Sequence, residues 1–99
     1  EMRIRRTKEP RAPETLTREI VAYVQKLRHV DLFKNPGVAE TLDWATALTE
    51  LDRLALDPQT VTDTIGVLLK YQDDIARIES GEGRRILEEV KTELRAAHA

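Results

Sequence analysis

The sequence predicts an all-α fold, a small irregular helical bundle of four to six helices. Three observations carry this. Apolar residues recur three or four positions apart in every long segment; no segment alternates with the two-residue period of a strand; and the breaks between segments carry proline or glycine.

Residues 1–9, EMRIRRTKE, hold only Met2 and Ile4 as apolar anchors and read as a short helix or linker that Pro10 ends, with Pro10 and Pro13 bracketing a turn. From Glu14 the stretch ETLTREIVAYVQKLRHV puts Leu16, Ile20, Val24 and Leu27 on one stripe, with Val21, Tyr23 and Val30 beside it. Thr15 and Thr17 are candidate caps, and Lys26, Arg28 and His29 stand at the end where cations suit the helix dipole. DLFKNPG is the first loop, with Leu32 and Phe33 expected to tuck beneath it. A second long helix is expected over 38–54, burying Val38, Leu42, Ala45, Leu48 and Leu51 or Leu54, with Glu40 in its first turn. Asp57 and Pro58 form a cap followed by a proline at the first helical position, where its missing N–H costs nothing. The third helix carries Val61, Ile65, Leu68 and Leu69, and Gly66 inside it suggests close helix packing. A further piece with Tyr71, Ile75 and Ile78 is offset near Lys70. SGEG, residues 80–83, reads as a loop, and a last helix over about 82–97 turns Ile86, Leu87, Val90 and Leu94 inward.

The chain has 99 residues, enough for one small domain, 40% hydrophobic and 34% charged. Only Tyr23, Phe33, Trp44 and Tyr71 are aromatic, so the core must be aliphatic. Without cysteine there is no disulfide framework, thiolate nucleophile or thiolate metal site, which fits a cytoplasmic protein. No apolar run approaches the roughly 20 residues needed to span a bilayer, and the N-terminus lacks a signal-peptide pattern. The chain begins at Glu1, not Met, and is read as a fragment. Residues 1–12 carry five basic and two acidic side chains, whereas the remaining 87 carry 11 basic and 16 acidic. A basic head on an acidic body argues against a nucleic-acid binder, and no single helix offers a basic recognition face.

Catalytic signatures are missing: there is no GxxxxGK[ST] loop, no GxGxxG and no HExxH. Ser80 is the lone serine. His29 reads as a helix end and His98 as part of a tail. Asp73, Asp74 and Glu79 read as a solvated helix face, since adjacent residues on a helix point apart. Trp44 is open to two readings, a packing residue or a contact surface for a partner or a neighbouring domain. Arg3, Arg5 and Arg6 are likewise either a solvated face or a hinge surface that meets phosphates or an acidic neighbour.

Four blocks in order, EMRIRRTKEP, LTREIVAYVQKLR, DLFKNPGVAETLDWATAL and LDPQTVTDTIGVLLKY, resemble the C-terminal helical lid of a MoxR-type AAA+ ATPase over roughly residues 1–72. PGVAETLDWA at 36–45 and TIGVLLKY at 64–71 are the most specific parts. The resemblance implies a non-catalytic lid over residues 13–99. Residues 1–12 would join it to an upstream ATPase core that this chain lacks. The parent would be a cytoplasmic, chaperone-like remodelling ATPase working as a ring, usually a hexamer. ATP and Mg²⁺ would be bound by the parent and no cofactor by the lid alone. Partners implied are the core, neighbouring subunits and a von Willebrand factor A-type protein. Asn35, Pro36, Gly37, Val38, Ala39 and Glu40 would then lie near the nucleotide, and Arg3, Arg5, Arg6 and Trp44 would face the neighbouring domain. The arginine that reaches the γ-phosphate in related lids falls at Ala39 here, so either Lys34 or another part of the ring supplies that charge, or the Pro36–Gly37 joint only lets the backbone approach the adenine or ribose, or it is plain punctuation between helices. The alternative from the residues alone is a stand-alone helical interaction module, with Trp44 and the Tyr71 region forming a partner groove.

Overall fold

The computed structural model describes residues 14–98, and among them there is no strand. The elements are α1 (Glu14–Leu27), α2 (Val38–Glu50), α3 (Pro58–Leu68), α4 (Gln72–Arg77), a kinked turn (Ile78–Glu82) and α5 (Gly83–His98). The basic segment 1–12, with Arg3, Arg5 and Arg6, lies outside the described residues.

One core joins the elements. From α1 come Leu16, Ile20, Tyr23, Val24 and Leu27, which meet Trp44 and Leu48 of α2, Val61, Ile65 and Leu68 of α3, and Ile86, Leu87 and Val90 of α5. Tyr23 and Trp44 sit with ring centroids 5.5 Å apart and tilted by 55°. The Tyr23 hydroxyl reaches the Gly83 carbonyl at 3.3 Å, and burial pushes this phenol above its ordinary range. Gly83 is required by this contact. A Cβ there would come within 2.5 Å of Ile78 Cγ2 and 3.0 Å of the Tyr23 hydroxyl. On the outside of the α1–α5 pair Lys26 bonds Glu93 at 2.6 Å, which holds its ammonium above the usual range.

α2 stops earlier than its apolar pattern suggests. Asp52 adopts a left-handed φ of 58°, so that Asp52 N–H bonds the Thr49 carbonyl and Arg53 N–H the Leu48 carbonyl. This is the Schellman closure, which turns the chain out of the helix after Glu50. Leu51 and Leu54, one or the other of which was expected in the buried stripe, are therefore both exposed.

The same correction applies to Val38 and Leu42, which are 73% and 61% exposed. At 3.6 residues per turn, Leu42 and Trp44 stand about 200° apart, so one helix cannot bury both on one face. The indole, the largest side chain in the protein, takes the inward face together with Leu48. Gly66 does not mark a close approach; it faces solvent, and a Cβ built on it meets nothing within 4 Å. Asp57 caps α3 by accepting the Thr60 N–H at 2.7 Å, with Pro58 following it as the pattern predicts. The SGEG stretch is a tight kink and not an open loop. Gly81, at φ 129°, breaks the helical path within Ile78–Glu82 in a conformation that side-chain-bearing residues rarely adopt, and α5 starts directly after it.

Candidate functional site

The segment singled out by the sequence, Leu32 to Glu40, leaves α1 and enters α2. Leu32 is half-buried and packs against the core, but Phe33 does not tuck under; it is 76% exposed and sets its ring edge-on against Tyr71, with centroids 4.7 Å apart. Tyr71, half-exposed, stands just before α4. Asn35, Val38 and Ala39 are exposed, while Pro36 is buried.

Two carboxylates organise this joint. Glu40 turns back to accept the Gly37 N–H at 2.9 Å, and the Thr41 hydroxyl donates to the Gly37 carbonyl at 2.8 Å. Gly37 has extended backbone, so its role at the N-cap does not depend on a glycine conformation. Backbone N–H groups at the helix start, Glu40's own and then that of Gly37, hold the Glu40 carboxyl below its ordinary range, helped by Lys70 and Lys34. Lys70 approaches Glu40 at 3.8 Å.

The second is Asp74, 3% exposed, in the first turn of α4. Its two oxygens accept the N–H groups of Phe33 at 2.7 Å and Lys34 at 3.0 Å. The expectation that Asp74 belongs to a solvated face is thus corrected: the carboxylate satisfies two loop donors about 40 positions away in the chain. Local helix periodicity carries no trace of a donor so distant. Glu19 behaves alike. It is buried on α1, accepts the Leu56 N–H at 2.7 Å and pairs with Lys91 of α5 at 2.8 Å.

Trp44 is fully enclosed and donates its indole N–H to the Thr64 hydroxyl at 2.8 Å. Of its two readings the packing one holds, because an indole with no accessible surface offers nothing to a second domain. Asn35, Pro36 and Glu40 do share one notch with Lys34, Leu68 and Lys70, but the notch is too narrow for a water molecule. A larger hollow of about 260 Å³ lies elsewhere, between α3 and the kink, with Val61, Ile65, Ile78 and Leu87 as its apolar walls and Arg84 and Glu79 at its edge. It falls short of the 300 Å³ or more typical of small-molecule pockets. A broad open trough continues past Pro58 and Leu87 towards Lys91 and Arg95. Among the described residues no three His, Asp or Glu side chains converge as metal ligands, and no helix is long and apolar enough to cross a membrane. Comparison of the chain with protein-family models, with curated proteins and with solved structures finds no match in any of the three.

Proposed function

We propose that this chain is a non-catalytic helical domain that acts through contact, as the C-terminal lid of a MoxR-like AAA+ ATPase closing over ATP at a subunit boundary. One observation carries the reading. The two blocks that most resemble such lids, 36–45 and 64–71, pack against each other through Trp44 and Thr64 and meet again at the notch joining Asn35, Pro36 and Glu40 to Leu68 and Lys70. In this reading Lys34 and Lys70 bring positive charge to the joint where Ala39 supplies none. The parent, not this domain, would bind ATP and Mg²⁺ in the cytoplasm and remodel a client with its ring neighbours and a von Willebrand factor A-type partner. The test is the reading frame preceding Glu1. A phosphate loop followed by a metal-binding acidic strand, within about one large domain's length, supports the lid. A frame without them overturns it. ATP added to the purified chain should give no turnover above background, and robust turnover would remove the non-catalytic reading.

A second reading, a stand-alone interaction module, is favoured by the exposed apolar side chains Phe33, Val38, Leu42, Leu51 and Leu54. It no longer rests on Trp44. A frame that encodes little more than these residues would select it over the lid.

A further inference from the structure

We infer that Asp74 is a latch that gives the tip of the joint between α1 and α2, Phe33 and Lys34, two positions, one seated on α4 and one released, while the bundle itself stays folded. The latch is a property of the free chain and requires neither a bound nucleotide nor a partner, so it stands or falls separately from the proposed function.

Val30, Leu32 and Pro36 anchor the two ends of the joint in the bundle, and the tip between them, Phe33 and Lys34, is fastened by contacts that converge on the start of α4. Inside, the buried Asp74 carboxylate commits one oxygen to Phe33 N–H and the other to Lys34 N–H. Outside, the Phe33 ring leans on Tyr71, three positions before Asp74. The exposed Phe33 ring is thereby held in place by α4, not by the helices it connects. At the far end, Glu40 closes its own helix start through Gly37 N–H, so α2 keeps its cap when the tip moves. The main core cluster takes Val30 from the joint and has Leu32 packed against it, but it includes neither Phe33, Lys34 nor Tyr71. Losing the two Asp74 bonds would free the segment that presents Phe33 and Lys34 without opening that cluster. Opening of this kind, in small cooperative units below the global unfolding free energy, is general in native proteins.

The sequence explains why this residue and not its neighbour serves. Asp73 and Asp74 are adjacent on a helix, so only one can face the joint; Asp73 is exposed and Asp74 is enclosed. An ionised carboxylate accepts at both oxygens. An amide in its place offers one oxygen and turns an NH₂ donor towards a backbone N–H, so Asp74→Asn breaks the pair at near-constant volume.

Native-state amide exchange on the full chain tests the latch, with Asp73→Asn as control. In the unaltered chain the Phe33 and Lys34 amides should exchange by an opening nearly independent of low denaturant, whereas the core amides of Val24 and Val90 should track global unfolding. Asp74→Asn should speed exchange at Phe33 and Lys34 by about tenfold or more relative to those core amides. Asp73→Asn should leave it unchanged. Exchange of Phe33 and Lys34 only through global unfolding, or an equal acceleration everywhere in Asp74→Asn, would overturn the latch and leave Asp74 as ordinary structural support. So would unchanged rates. Should Asp74→Asn not fold, the denaturant dependence in the unaltered chain decides the matter.

Discussion

Trp44 donates its indole N–H to the Thr64 hydroxyl at 2.8 Å, and Thr64 donates in turn to the Thr60 carbonyl at 2.8 Å. A short chain of hydrogen bonds thus crosses from α2 into α3 where both residues are buried. Thr64→Val keeps the shape but leaves the indole N–H without its acceptor, at an expected cost of about 1–3 kcal/mol. Thr64→Ser keeps the hydroxyl and should lose less. Urea unfolding with an unchanged slope reads the difference. A valine variant as stable as the parent would show that the bond contributes nothing net.

Glycine and its replacements should act in opposite directions at three positions. Gly83→Ala forces a Cβ against Ile78 and the Tyr23 hydroxyl and should destabilise by about 1–3 kcal/mol. Gly66→Ala meets open space inside a helix and should stabilise by about 0.5–1 kcal/mol. Asp52→Gly relieves the left-handed backbone after α2 and should stabilise by about 1 kcal/mol. Thermal melts of the three variants check the signs, and a stabilised Gly83→Ala would contradict the packing around Tyr23.

Glu19 ties α1 to the segment before α3 and to α5. Glu19→Ala strands the buried Leu56 N–H and should cost about 2–3 kcal/mol. Lys91→Ala removes only a partly exposed cation and should cost less, since solvent screens much of that pair. Equal losses in chemical denaturation would mean that the ion pair, not the bond to Leu56, is the stronger of the two.

Acid should weaken the helix starts. Asp57, through the Thr60 N–H, and Glu40, through its own N–H and that of Gly37, are both held below their ordinary values of 3.8 and 4.5. Folded-state values below the unfolded ones mean that the stabilisation is full above those ordinary values and is lost as pH falls through the lower, folded ones. Melting temperature should therefore drop from about pH 5 downward. Asp57→Asn, which keeps a capping oxygen but no charge, should flatten part of that fall; an unchanged acid profile would remove Asp57 from the explanation.

The inward stripes of α1 and α5, the Asp57–Pro58 start of α3 and the offset near Lys70 were legible because each depends on neighbours a few positions away. The exposed face of α2 was legible in principle. Trp44 and Leu42 cannot point the same way, and giving the larger ring the core would have turned Val38 and Leu42 outward. The roles of Asp74 and Glu19 were not legible. Their partners, Phe33, Lys34, Leu56 and Lys91, are about 37 to 72 residues distant, and only the folded topology brings them together. For the joint itself the residues indicated a break and a first-turn acid, but not that α4 holds its tip.

The enclosure of Trp44 has an optical consequence. It is the protein's single indole, shut away from water, with the Tyr23 ring 5.5 Å from it. Its emission should be blue-shifted in the native state, and light absorbed by Tyr23 should be passed to it. Because the two rings belong to α1 and α2, and the hydrogen bond at the indole reaches α3, one fluorescence trace follows the meeting of three helices. Tyr71, half-exposed beside Phe33, lies outside that assembly. The chain therefore carries its own dye for core formation, one that stays dark to movement of the joint's tip.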